Sequence, residues 1–240
     1  MNSSINDYRT MCAEREIGRQ SRIKALQLPN YTFTEEVLNC ITHALGAVLG
    51  VTGFILCMNL LIPTGNFVAT ASMAIFCTAM VMLYTNSAVY HGWELTQAKK
   101  RFQIIDHCSV FLLIAGTYTP FTLMVMGDTV GKVIFAIVML ASVFGIALNI
   151  IDMKKYKVIS MACYLITGWC IIFAYRSITA ALSPEQFMML LGGGIAYTVG
   201  AVLYGLGVKV RYMHTIWHLF VLGGSLLHYW CLYSFIVSHF

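Results

Sequence analysis

Apolar residues in this chain run in long unbroken stretches. They neither alternate nor recur on one face only. Seven runs stand out, over residues 36–61, 67–91, 102–126, 130–151, 158–180, 186–207 and 212–238. Each approaches or exceeds the ~20 residues that a helix needs to cross a bilayer. They are separated by turn and charge signals: Pro63-Thr64-Gly65-Asn66, Lys99-Lys100-Arg101, Gly127-Asp128, Asp152 to Lys157, and Ser183-Pro184-Glu185. Without period-two alternation a β-barrel is excluded. Residues 1–35 are polar and mixed in charge, with a short surface helix expected over 11–26, ending before Pro29. The expected architecture is an all-α membrane protein. A polar cytoplasmic tail, 1–35, precedes a seven-transmembrane helix bundle, 36–240.

Composition agrees. Of 240 residues, 59% are apolar and 10% charged, whereas soluble domains carry about 25% charged residues. A soluble enzyme, a nucleic-acid binder and a disordered chain are all excluded. In such a chain the placement of Lys and Arg matters more than the net +5. In a seven-span topology, 13 of the 15 fall on one side, in the tail and the 2–3, 4–5 and 6–7 connections, the last contributing Lys209 and Arg211. Only Lys132 and Arg176 face the other side. The positive-inside rule then puts the N-terminus in the cytoplasm and the C-terminus outside, in a multi-pass plasma-membrane protein. The eight cysteines form no C-x-x-C pair and read as small hydrophobes. No cleavable signal peptide is expected, because the polar start has no short apolar core. Gly46 with Gly50, and Gly192-Gly193-Gly194, read as close helix contacts.

The polar residues inside the spans carry the chemistry. All seven histidines lie in or beside the spans, and ionisable groups in hydrocarbon are expensive and usually functional. Glu36, Asn39 and His43 open span one. His91 closes span two, Asp106 and His107 begin span three, and His214 and His218 begin span seven. Four helices thus bring polar groups to one leaflet. His214 and His218, at i,i+4, share a helix face, and His91 can supply a third nitrogen. Three histidines with an open fourth position match catalytic zinc, although Fe or Ni would also fit. Asp106 is then the candidate to orient or deprotonate a zinc-bound water. Ser87, one turn before His91, can hydrogen-bond a ligand or the polarised substrate. Glu36, Asn39 and His43 read equally as supports of the site or as structural hydrogen-bonders. The competing readings are independent histidines, and an Asp106–Arg101 ion pair. His107 points away from Asp106's face and is left out of the site; His228 is expected to be a satisfied core histidine.

In order, Glu36-x-x-Asn39-x-x-x-His43, Ser87-x-x-x-His91, Asp106-His107, Leu112-Leu113-Ile114-Ala115-Gly116-Thr117-Tyr118-Thr119-Pro120, His214-Thr215-Ile216-Trp217-His218 and His228-Tyr229 resemble the haemolysin III group of the progestin and adipoQ receptor family. That family includes the adiponectin receptors, and the length here looks like its bacterial branch. The resemblance implies a zinc ion on His91, His214 and His218, a water-holding Asp106, and Ser87 nearby. It also brings a likeness to the alkaline ceramidases. The leading expectation is a zinc-dependent intramembrane hydrolase of a lipid amide or ester at the cytoplasmic leaflet, binding a membrane lipid or fatty acyl ligand. The alternatives are a pore-forming cytolysin, a non-catalytic zinc-containing sensor of lipid or energy homeostasis, and, more remotely, a proton-linked transporter.

Overall fold

The computed structural model describes residues 2–206 and 210–240; the side chains of residues 2–7, 9 and 206 fall outside that description, as does Lys209. Every element among the described residues is helical. Helix α1 (Asn2–Leu26) is the tail, beginning earlier than its polar sequence suggested. The membrane bundle follows: α2 (Phe33–Leu61), α3 (Phe67–Gly92), α4 (Gln97–Pro120), α5 (Thr129–Asp152), α6 (Lys157–Gly168), α7 (Tyr175–Ala181), α8 (Pro184–Leu206) and α9 (Met213–His239). Seven segments are long and apolar enough to cross a membrane, with α6 and α7 making one of them. Helix α2 packs along α3, α3 along α4, and α8 along α9, while α2 meets α9 and closes the ring.

The caps are local and legible. Thr32 and Glu35 form a capping box at the start of α2: the Glu35 N–H donates to Thr32 Oγ1, and the Thr32 N–H donates to Glu35 Oε2 at 2.8 Å. The other Glu35 oxygen accepts the Tyr212 N–H at 2.8 Å. Tyr212 sits at φ 64°, in the left-handed region, immediately before α9. One buried carboxylate therefore starts α2 and holds the turn that launches α9. Asn66 caps α3 by accepting from Ala69 N–H, and Asp128 caps α5 by accepting from Gly131 N–H.

Two spans are not continuous α-helix. Pro120 has no N–H to donate, and α4 continues as a wider π-turn over Phe121–Met126. Around it the hydroxyls of Thr117, Thr119 and Thr122 donate to the carbonyls four residues earlier. The fifth span breaks between α6 and α7 into a 3₁₀ turn, Cys170–Ala174. The Tyr118 hydroxyl repairs the break, donating to Gly168 O at 2.8 Å and accepting from Ile171 N–H at 2.9 Å. Irregular backbone at membrane depth persists where neighbours satisfy it in this way.

The glycines are packing positions. A Cβ on Gly46 would press into the Tyr84 ring, and one on Gly50 would crowd Val81. Gly193 leaves room for the His228 imidazole, and Gly145 for the Phe111 ring. Between α4, α6, α8 and α9 lies a mostly apolar cavity of about 320 Å³.

Candidate metal centre

Three imidazoles converge at the end of the bundle that holds the N-terminal helix. His91 comes from the last turn of α3; His214 and His218 come from the first two turns of α9. All three are buried. His214 Nε2 lies 3.3 Å from His91 Nε2 and 3.2 Å from His218 Nε2. One ligating atom from each residue lies within 4.8 Å of the other two. Two nitrogens bound about 2.0–2.1 Å from one tetrahedral zinc stand about 3.3–3.4 Å apart, so the spacing fits such an ion.

The outer nitrogens settle which atoms are free. His91 Nδ1 lies 2.7 Å from Glu36 Oε2. A carboxylate only accepts, so Nδ1 carries the proton and the Nε2 lone pair points inward. His218 Nδ1 lies 3.2 Å from Thr42 Oγ1, whose own hydrogen goes to Leu38 O at 2.9 Å. His218 Nδ1 is then also the donor, leaving its Nε2 free. Asn39 Oδ1 accepts from the Thr215 hydroxyl at 2.6 Å, and its Nδ2 sits 3.4 Å from His91 Nδ1. Glu36 and Thr42 on α2 thus orient two ligands that sit on two other helices, while Asn39 between them packs against His91 and is fixed by Thr215. This is the imidazole–acceptor arrangement that fixes metal-bound histidines.

Lys99 changes the picture drawn from the sequence. It reads there as part of a loop charge run, but α4 begins at Gln97 and Lys99 is buried within it. Its Nζ donates to Tyr90 O, His91 O and Trp93 O at 2.9–3.2 Å, capping the end of α3. It also pairs with Glu36 Oε1 at 3.0 Å. Lys99, Glu36 and His91 form one continuous chain ending at the triad. Thr96 and Gln97, which start α4 ahead of Lys99, were the local hint that the helix begins before the charge run. The long-range pair with Glu36 had no signal in the sequence.

The other expected residues fall as follows. Ser87 is buried, and apart from the Asp106 carboxyl its Oγ has no polar partner among the described residues. The Asp106 carboxyl lies close to it. Asp106 makes no ion pair with Arg101 among the described residues; His107 Nδ1 lies 3.7 Å from its Oδ2, but that imidazole is neutral. His107 itself faces away from the triad, donating to Gln103 O at 2.9 Å and accepting from the Tyr204 hydroxyl at 3.1 Å. His43 lies flat on His218, ring centroids 3.5 Å apart, and neither of its nitrogens has a hydrogen-bond partner among the described residues. His228 bonds through Nε2 to Leu190 O at 3.0 Å, and its Nδ1 has no hydrogen-bond partner among the described residues. It is therefore half satisfied, and it lines the cavity along with His43, Asp106 and His107.

Tyr31, ahead of α2, closes the triad from the tail side. Its ring stacks on His214 at 4.7 Å and lies 5.7 Å from His91. Burial raises its phenol pKa well above the ordinary value, so the hydroxyl stays neutral. Trp217 covers His214 from the other flank, at 4.7 Å.

Comparison with known proteins gives the chain a family. A family model described as "Haemolysin-III related" matches residues 31–229. "Hemolysin-3" of Bacillus cereus is 36% identical over 203 residues, covering 85% of this chain and 92% of the relative. "Hemolysin-3 homolog" of Bacillus subtilis (strain 168) is 35% identical over 208 residues, covering 87% and 97%. "Monocyte to macrophage differentiation factor" of Homo sapiens is 25% identical over 211 residues, covering 85% and 86%. The matched stretch contains every triad residue and every α2 side chain that orients them, and the chain belongs to the haemolysin III-related family of multi-pass membrane proteins.

Proposed function

We propose that this protein is a zinc-dependent intramembrane hydrolase of a lipid amide or ester, working at the leaflet that faces the N-terminal helix. One observation carries the reading: His91 and His218 have their Nδ1 protons committed outward, so inward lone pairs meet His214 Nε2 at 3.2–3.3 Å. Lone pairs that close repel unless a cation or a proton sits among them. The placement of 13 Lys and Arg on that side of the seven-span topology makes it the cytoplasmic side.

His91, His214 and His218 would hold the ion. A bound zinc supplies Lewis acidity to a carbonyl oxygen and draws the pKa of bound water toward neutrality. The protein's own contribution surrounds that centre. Asp106, on the cavity wall, accepts a proton at its carboxylate and returns it to the departing alcohol or amine. The Ser87 hydroxyl, buried beside the Asp106 carboxyl, can turn to donate to a substrate oxygen. Tyr31 and Trp217 shield the triad from bulk water, which strengthens every charge interaction inside it. The apolar cavity next to Asp106 accepts an acyl chain, and its volume lies at the lower end of ligand cavities, which run from about 300 Å³ upward.

The test is metal analysis and anomalous scattering at the zinc edge on protein purified without chelator, with hydrolysis assays on wild type and His214→Ala. Stoichiometric zinc and turnover, both lost in the variant, are expected. Zinc without turnover on any lipid class leaves the metal site and removes the enzyme. The names of the Bacillus relatives favour membrane lysis as a second reading. Conductance across a planar bilayer, abolished by changing a cavity-lining residue, would establish that reading instead.

A further inference from the structure

We propose that the lipid taken by this cavity is an anionic glycerophospholipid, its phosphate held by Lys154 and Lys157 at the cavity mouth. The inference rests on the hydrolase reading above and names the substrate class for it. The mouth is formed by Gln27, Leu28 and Pro29 of the tail and by Lys154 and Lys157. Lys154 is exposed and donates to Gln27 Oε1 at 2.8 Å. Lys157 is half-buried, with its Nζ 5.0 Å from the centre of the Tyr204 ring. Neither ammonium pairs with a carboxylate among the described residues. The acid beside them, Asp152, spends Oδ1 on the backbone N–H groups of Lys154 and Lys155. Two positive charges without a counter-ion at the rim of an apolar hole call for an anion supplied by the occupant.

The ring of Tyr204 decides which anion. It has Lys157 Nζ 5.0 Å from its centre and the His214 ring 5.8 Å from its centre. Lys157 and His214 of the triad therefore neighbour the same aromatic ring. A free fatty acid carries its only charge on the oxygens of its carboxyl group, and a single carboxylate cannot occupy both places. A ceramide has a carbonyl but no charge for the lysines. In a glycerophospholipid the phosphate and the ester carbonyl are separated by a few bonds of glycerol. Such a molecule sets its phosphate on the lysines, its ester beside the triad, and one acyl chain into the cavity. Hydrolysis then adds water across the ester: the acyl C–O bond breaks, hydroxide joins the acyl carbon and the proton goes to the glycerol oxygen. The products are a fatty acid and a lysophospholipid.

The experiment is binding to the full-length protein in neutral detergent, read by native mass spectrometry, so that it does not depend on turnover. Phosphatidylglycerol, ceramide, oleic acid and inorganic phosphate are compared on wild type, Lys154→Gln/Lys157→Gln, Lys157→Arg and His214→Ala. Wild type is expected to prefer phosphatidylglycerol over ceramide by about tenfold or more, since each interfacial lysine contributes roughly 1 kcal/mol toward an anionic headgroup. The double glutamine variant should lose that preference while still retaining ceramide, and Lys157→Arg should keep it. Equal binding of ceramide and phosphatidylglycerol to wild type, or an unchanged preference in the double variant, overturns the proposal. So does inorganic phosphate competing as well as the lipid, which would mark a free-anion site. A preference that persists in His214→Ala while no lipid is hydrolysed by wild type sinks the hydrolase and leaves the headgroup site standing.

Discussion

Replacing Lys99 with Met tests the chain of contacts that ends at the triad. The substitution keeps the apolar stem and removes the ammonium. Four interactions go with it: three bonds to the carbonyls that end α3, and the 3.0 Å pair with Glu36. Glu36 is then left as a carboxylate with only 13% of its side chain exposed and without its ion-pair partner. Removing one partner of a buried ion pair costs about 3–5 kcal/mol, whereas removing both together is often close to neutral. Lys99→Met should therefore lower stability by about that amount, and Glu36→Gln/Lys99→Met should recover the part due to the unpaired carboxylate, while the loss of the three carbonyl bonds at the end of α3 remains. Metal retention should behave differently. His91 Nδ1 keeps an amide acceptor in the double variant but loses the carboxylate, and such supporting changes weaken metal binding about 10–100-fold. Stability is read by thermal unfolding in detergent, and zinc affinity by competition with a coloured chelator. If the two single substitutions simply add in the double variant, the residues are not coupled and the relay does not exist.

Thr42→Val removes the acceptor of His218 Nδ1 and should weaken zinc binding about tenfold with little loss of stability, by the same chelator competition. Gly193→Ala drives a methyl into the His228 ring and should destabilise by about 1–3 kcal/mol, visible as a lower melting temperature. Unchanged melting would mean that α8 and α9 are not packed as described. Asp128 lies between the spans, where hydrogen bonds from Gly131 N–H and the Ser177 hydroxyl hold its carboxyl below the ordinary value of 3.8. A lowered pKa in the folded state stabilises above the unfolded value and is lost as pH falls through the folded one. Wild type should out-melt Asp128→Ala at neutral pH, and the gap should close below about pH 4. A constant gap would show that charge plays no part.

The spans, their order and the triad were legible because each depends on local composition. Twenty apolar residues have no stable alternative in a bilayer, and His214 with His218 share a face by helical geometry alone. That His91 meets them could be inferred from depth, since helices of similar length crossing one membrane bring like positions to one leaflet. The sequence did not reveal how the site is supported. Lys99 reads as a solvated loop charge, and Glu35 as one more acid in the tail. One supports His91 through Glu36 while the other pins the Tyr212 turn, through contacts between helices far apart in the chain. His43 sits on the expected stripe, but its stacking on His218 depends on how α2 and α9 cross. The broken fifth span, repaired by the Tyr118 hydroxyl, lies in sequence as apolar as its neighbours. Apolar length is a property of one segment, and so the sequence determined how many helices cross and where their polar ends lie. Only the tertiary packing decided which protons face outward, which charges find partners and where the cavity opens, because each of those depends on the rotation of one helix against another.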